Sequence, residues 1–417
     1  MIYVHVPFCR SFCTYCDFYS EVVGGRPAGG GRFVALSPEN VTNPGLQTGI
    51  SRKNGRFCNQ PQLFFQKYTD DLCAEIRARR REIAAAAGVR TLYIGGGTPS
   101  VLPLECLRKI VEELKLAEAT VRPGQDSEES GQGPGPWEEF TVEVNPEDIM
   151  ERGASYVEGL LALGVNRISM GVQSLDDGML RWMNRRHSAD GARKAWRILS
   201  SEAAAKVDLS IDLISGVPRM DCAMLGRTLN EVLEWRPEHI SAYQLSVEEG
   251  SALARMIADG RVAELPDEEC RAQYELVCQK LGAAGYHHYE ISNWSLPGHE
   301  AVHNSAYWTR QPYVGLGPGA HSLEILPCQK GPKTSDPPGE NVGGPSKSAE
   351  NAGAPETGLQ IRKWNSKQTI GWKEEGREVL SAEEIREETV MLLARTDRGP
   401  IPERDWFVAD DLIADLL

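Results

Sequence analysis

The sequence predicts an α/β fold: a partly open barrel of six strand–helix units, with a smaller C-terminal region and Gly/Pro-rich disordered insertions. Three observations carry this expectation. Short, near-continuously apolar runs alternate with helical patterns, which indicates a parallel sheet covered by helices. Only six such units occur before the pattern changes, two short of a closed eight-fold barrel. Polar or glycine-rich residues also follow each run, and the C-terminal strand ends of barrels are where sites are built.

Taken in order, residues 2–6 alternate β-branched residues with Tyr3 and His5 and read as strand one. Residues 21–62, rich in Gly, Pro, Ser and Asn, read as a disordered insertion. A helical pattern resumes over 64–87, with Leu72, Ile76 and Ile83 on one face. Strand two, 91–94, runs into the turn 95–100 (GGGTPS), and a helix follows over 104–116. A second insertion covers 123–136. Strand three, 139–144, must stop at Asn145-Pro146, because Pro cannot extend a central strand. The helix at 154–163 ends at Gly164, a suitable C-cap. Strands four to six fall at 167–172, 207–214 and 239–245, with helices at 189–200 and 224–233. The first 246 residues thus form the barrel, and 247–325 form a region of different pattern, with a helix over 267–284. A third insertion covers 326–360, and 361–417 reads as a C-terminal helical region cut short.

Composition narrows the function. Among 417 residues, 45 are basic and 59 acidic, a net charge of −14, so nucleic acid is not an expected partner. No apolar run is long enough to cross a bilayer. Ten cysteines are scattered apart from the first three, without a signal-peptide pattern, so a disulfide framework is not expected and a reducing compartment is.

Those first three, Cys9, Cys13 and Cys16, follow strand one at intervals of four and three. Three thiolates can hold three corners of a cubane iron–sulfur cluster, leaving one iron open to a substrate. Zinc ligation and plain burial are the competing readings, although zinc ordinarily requires a fourth ligand and no second CxxC occurs. The other strand ends bring Gly95 to Thr98, Glu143 and Asn145, Gln173, Asp212 and Gln244 to one rim. Each has a bland alternative: a sharp turn for the glycines, a surface ion pair for Glu143, a helix cap for Asp212. Carboxylates at a rim suit ammonium and ribose hydroxyls, and an arginine such as Arg185 suits a carboxylate.

The stretches 3–9 (YVHVPFC), 95–100, 164–174 (GVNRISMGVQS) and 212–216 (DLISG) resemble the radical S-adenosylmethionine (SAM) family that contains the oxygen-independent coproporphyrinogen III oxidases. The stretches 237–246 (PEHISAYQLS), 289–294 (YEISNW) and 303–308 (HNSAYW) are most similar to its haem chaperone, or HemW-type, branch. The resemblance spans about 2–322 outside the insertions and thins to 363–365 (KWN).

It implies a radical SAM barrel with a 4Fe–4S cluster on Cys9, Cys13 and Cys16. It implies SAM contacts from Tyr3, Tyr15, Gly96, Gly97, Thr98, Glu143, Gln173, Arg185 and Asp212. It further implies haem as cargo and respiratory haem proteins as recipients, with peripheral membrane contact and a homodimer compatible with that class. His303, Tyr307, Trp308 and His321 are the candidate haem residues, against a reading in which His303 only satisfies a buried hydrogen bond. The rival is the oxidase, but that branch has a further cysteine where this chain has Phe18, and a segment ahead of strand one that is not present here. The expected compartment is the cytoplasm for the sequence as it stands, or a mitochondrion or plastid if a leader is missing.

Overall fold

A computed structural model of the chain describes residues 1–16, 18–23, 61–86, 88–119, 137–203, 207–326 and 358–416. The insertion expected at 123–136, and nearly all of those at 21–62 and 326–360, lie outside these residues. At their edges the described chain is ordered into elements: residues 21–22 form a short strand, residues 61–62 begin a helix and residue 359 begins a strand.

The strands are β1 (Ile2–Val6), β2 (Phe8–Cys9), β3 (Glu21–Val22), β4 (Thr91–Gly96), β5 (Glu139–Val144), β6 (Arg167–Gln173) and β7 (Asp208–Ser215). They continue with β8 (His239–Gln244), β9 (His287–Glu290), β10 (Asn293–Ser295), β11 (Val314–Leu316), β12 (His321–Leu326), β13 (Leu359–Asn365) and β14 (Glu374–Val379). Nine of them form one sheet in the order β11-β1-β4-β5-β6-β7-β8-β10-β9. The run from β11 to β8 is parallel, while β10 and β9 add on antiparallel. Its end strands, β11 and β9, do not pair, so the six predicted units form an open barrel widened by three further strands.

Each central strand reads as nearly continuous burial, but its two faces differ in kind. Val4, Ile94, Val142, Ile168 and Ile211 join a core with helix residues such as Leu72, Ile76, Leu107, Ile110 and Leu160. Residues one position along point the opposite way, and these are Tyr3, Tyr93, Glu143, Ser169 and Asp212. They bond to one another across strands: Tyr93 Oη donates to Glu143 (2.7 Å) and Ser169 Oγ to Asp212 (2.9 Å). The inner face of the barrel is therefore a polar chamber.

The helix expected over 64–87 begins at Pro61 and is broken at Arg79, giving Pro61–Ala78 and Arg80–Ala85. There the guanidinium donates to Gly315 O (2.7 Å) and Ser322 Oγ (3.0 Å), tying the helix to β11 and β12. Gly164 caps its helix in the left-handed conformation, φ 100°, as the sequence predicts.

The region 361–417 differs most from expectation. It is not helical throughout: β13 and β14 join β12 in an antiparallel sheet, and helix begins only at Ala382–Leu393. Partners from β12, such as Ser322 opposite Lys363, make the strand. A last helix, Ala409–Leu416, and Trp406 pack near β9, where His288 stacks on Trp294 at 4.0 Å. Among the described residues no helix is long and apolar enough to cross a membrane.

Candidate cofactor site at the strand ends

The loop bearing the cysteines is held from below by an aromatic anchor. Phe8 is fully buried, with the rings of Phe64, Phe65 and Tyr68 at 5.0 to 5.5 Å. Tyr68 Oη donates to His5 O (2.6 Å), fixing the end of β1. Farther along, Thr14 bonds through its backbone N–H to Met183 O (3.1 Å) and through its hydroxyl to Trp182 O (2.8 Å), and Asn184 donates to Phe12 O (2.7 Å). The loop that follows β2 is thus pinned at both ends.

The glycine turn after β4 makes this geometry possible. A Cβ on Gly97 would lie 2.7 Å from Phe8 O and 2.9 Å from Val6 O, so only glycine lets the two backbones meet. Gly97 N–H donates to Val6 O (2.8 Å), and Gly96, at φ 108°, donates to Glu143 Oε2 (3.2 Å). These two amides are therefore spent within the protein.

Arg185 joins the cysteines to the strand ends. Its Nη1 donates to Cys13 Sγ (3.3 Å), and its Nη2 donates to Asn145 Oδ1 (2.6 Å) and Gly171 O (2.9 Å). Asn145 Nδ2 donates to Thr98 Oγ1 (3.1 Å), which lies 3.5 Å from Cys9 Sγ. Cys13, Arg185, Asn145, Thr98 and Cys9 form one connected chain of polar contacts. Burial works against the arginine's charge, but Cys13, Tyr15 and Glu147 outweigh it and hold the guanidinium protonated more firmly than usual. Burial pushes the Cys9 thiol up, opposed by its hydrogen bonds to Thr98 and Ser20. Tyr15 is likewise raised, by burial and the neighbouring Cys13.

Gln173 adopts φ 65° where the β6–β7 register slips, which turns its side chain back beside Gly171 and Arg185. Tyr3 lies beside Tyr93, with centroids 6.0 Å apart and planes tilted by 36°, and Tyr93 in turn donates to Glu143. The sequence reading singles out these residues but treats Asn145 only as a strand end; a polar residue before a proline, closing a strand on the rim, is the signal that it carries more.

Two carboxylates dominate the electrostatics. Glu143 is pushed up to about 7 by burial, against its bond from Tyr93 and with the added repulsion of Asp212. Asp212 is pushed up to about 6 by burial, opposed by bonds from Ser169 and Ser241. Among the described residues neither forms an ion pair. Arg185 Nε is buried with no acceptor. Two half-buried acids in no ion pair among the described residues, and an arginine whose buried Nε is a spare donor, match the ammonium, hydroxyl and carboxylate groups of an amino-acid-bearing nucleoside.

Among the described residues no three Cys, His, Asp or Glu converge closely enough to hold a single metal ion. A cubane cluster does not require this, since each thiolate binds a different iron, and the positively charged Arg185 beside Cys13 suits thiolate ligands.

The residues expected around haem are divided. His303 is 1% exposed, with Thr91 Oγ1 2.7 Å from Nδ1 and Tyr307 Oη 3.2 Å from Nε2. Burial and the chain's N-terminal charge push its pKa down to about 3. Tyr307 lines an open cavity of about 350 Å³ that also reaches Tyr3 and His321. Trp308 is half-buried and does not line that cavity.

The radical SAM superfamily profile matches residues 53–229. The haem chaperone HemW of Bacillus subtilis is 30% identical over 322 residues, 76% of this chain and 69% of that one. The chain belongs to the HemW family. A HemW from Mycobacterium tuberculosis is 31% identical over 322 residues, covering 77% of this chain and 68% of its own. The solved coproporphyrinogen III oxidase HemN of Escherichia coli has a TM-score of 0.64 at 19% identity, covering 100% of this chain and 81% of that one. That likeness establishes the fold, a radical SAM barrel. For a HemW-type chain, the radical SAM domain implies use of SAM and a 4Fe–4S cluster.

Proposed function

We propose that the chain is a haem carrier: it holds a 4Fe–4S cluster on Cys9, Cys13 and Cys16, binds SAM across the rim, and delivers haem to respiratory haem proteins. The observation that carries the SAM reading is the pair Glu143 and Asp212, half-buried and in no ion pair among the described residues, together with Arg185, whose buried Nε has no acceptor among them. Glu143 and Asp212 would receive the ammonium and ribose hydroxyls, and Arg185 and Gln173 the carboxylate, with Tyr3 and Tyr15 closing the sides. When bound, the cluster supplies one electron to SAM. The chain's own residues bind and orient the cofactor: Arg185 offsets the thiolate charge, and the packed aromatic anchor around Phe8 keeps the loop in place.

Delivery rather than porphyrinogen oxidation is supported by relatives named haem chaperones and by Phe18, 66% exposed, where the oxidase branch has its further cysteine. The test is anaerobic reconstitution followed by haem titration with and without SAM. Stoichiometric haem absorbance without conversion of coproporphyrinogen III is the expected result; turnover of that substrate would replace the carrier with the oxidase.

A further inference from the structure

The open cavity beside β1 is walled largely by aromatic rings and includes one exposed histidine. Its walls include Tyr3, Tyr19, Tyr307, Tyr313, His321 and Lys367. Its volume, about 350 Å³ with an open mouth, falls within the range of small-molecule sites and leaves part of a macrocycle in solvent. Flat aromatic walls suit a porphyrin face, and Tyr307 and Tyr313 pack edge-on at 4.8 Å.

His303 is poorly placed as a ligand, since both ring nitrogens lie within hydrogen-bonding distance of hydroxyls and the ring is buried. Binding iron would break one of those contacts. His321 is exposed, and among the described residues neither of its ring nitrogens has a hydrogen-bond partner. Its ring stacks on Trp364, with centroids 6.2 Å apart and planes at 24°. Partial burial, Arg362 and Lys367 lower its pKa, which favours the neutral imidazole that binds metal.

The ring is also presented rigidly. Glu75 accepts from Gly317 N–H (2.9 Å), Trp372 Nε1 (2.7 Å) and Asn365 Nδ2 (2.8 Å). Asn365 in turn donates to Gly317 O (2.8 Å) and, through its backbone, to Ala320 O (3.0 Å). The turn that carries His321 is therefore fastened to both the barrel helix and the small sheet. Lys367, exposed at the cavity edge, supplies a cation for a propionate.

We propose that haem binds in this cavity with His321 as its iron ligand and Lys367 against a propionate, while His303 supports the wall through Tyr307. This rests on the haem-carrying reading above. The experiment is titration of the full reconstituted chain with ferric haem, followed at the Soret band, and with metal-free protoporphyrin IX, followed by fluorescence. His321→Ala should weaken haem binding about tenfold and shift the Soret maximum, and added imidazole should restore the band. Protoporphyrin IX, which has no iron to ligate, should bind the variant as it binds the parent. Lys367→Glu should weaken both porphyrins by about two- to fivefold. Unchanged haem affinity and Soret position in His321→Ala would overturn the ligand assignment while leaving the carrier reading intact. Absence of haem binding by the parent chain would instead sink the carrier reading itself.

Discussion

Replacing Glu143 with glutamine should separate stability from cofactor binding. The carboxyl is half-buried on the inner face of the barrel, and burial pushes it up to about 7, against an ordinary value of 4.5. Between those two values the folded chain retains a proton that the unfolded chain has lost. Its contribution to stability is thus fully present below about pH 4.5 and is lost as pH rises through 7. A shift of this size amounts to about 3 kcal/mol once both states are ionised, with roughly 2 kcal/mol of it appearing between pH 5 and pH 8.

Glutamine has no proton to lose and can keep both partners. Its oxygen accepts from Gly96 N–H, and its amide donates to Tyr93 Oη, which reverses its role. Urea denaturation of the cluster-free chain should therefore show Glu143→Gln more stable than the parent, by a margin that widens with pH at constant m-value. Calorimetric titration of the reconstituted variant with SAM should show binding weakened by about tenfold or more, because a buried charge partner for the ammonium is gone. A stability gain independent of pH would refute the burial argument. Undiminished SAM affinity would refute the role given to the carboxylate.

Other outcomes follow from the same geometry. Cys13→Ser should abolish the cubane signal in electron paramagnetic resonance after reduction yet leave the circular dichroism of the fold intact, because the loop sits on the rim outside the main core. Gly97→Ala should lower the unfolding free energy by about 1–3 kcal/mol and impair cluster assembly, since its Cβ would press on Phe8 O and Val6 O. Glu75→Ala should leave four donors, Arg79 Nη1 among them, without their half-buried acceptor, costing about 3 kcal/mol, and should raise hydrogen exchange around residues 317–321 more than in the central strands.

The cysteine loop, the six central strands and most rim residues are legible locally. Thiol spacing, strand periodicity and the position of Pro146 each act within a few residues, so Cys9, Glu143 and Asp212 can be assigned to the rim before any contact is known. Residues 359–365 are harder: their strand exists because β12 and β14 flank it, and β12 ends at Leu326, far from Leu359 in the sequence. Asn145 can be placed on the rim from the sequence, but not its role there, which comes from meeting Arg185, 40 residues on, and Thr98, 47 residues back.

By itself, then, the sequence determined which residues could ligate iron, how many parallel strands would carry them, and at which strand ends the polar groups would cluster. Tertiary structure alone decided that the inner face is a polar chamber, that both nitrogens of His303 are already engaged, and that His321 is held open to a cavity. The reason is range: periodicity assigns a side chain to a face, whereas its partners across that face come from elements as distant as Glu75 and Asn365, 290 residues apart.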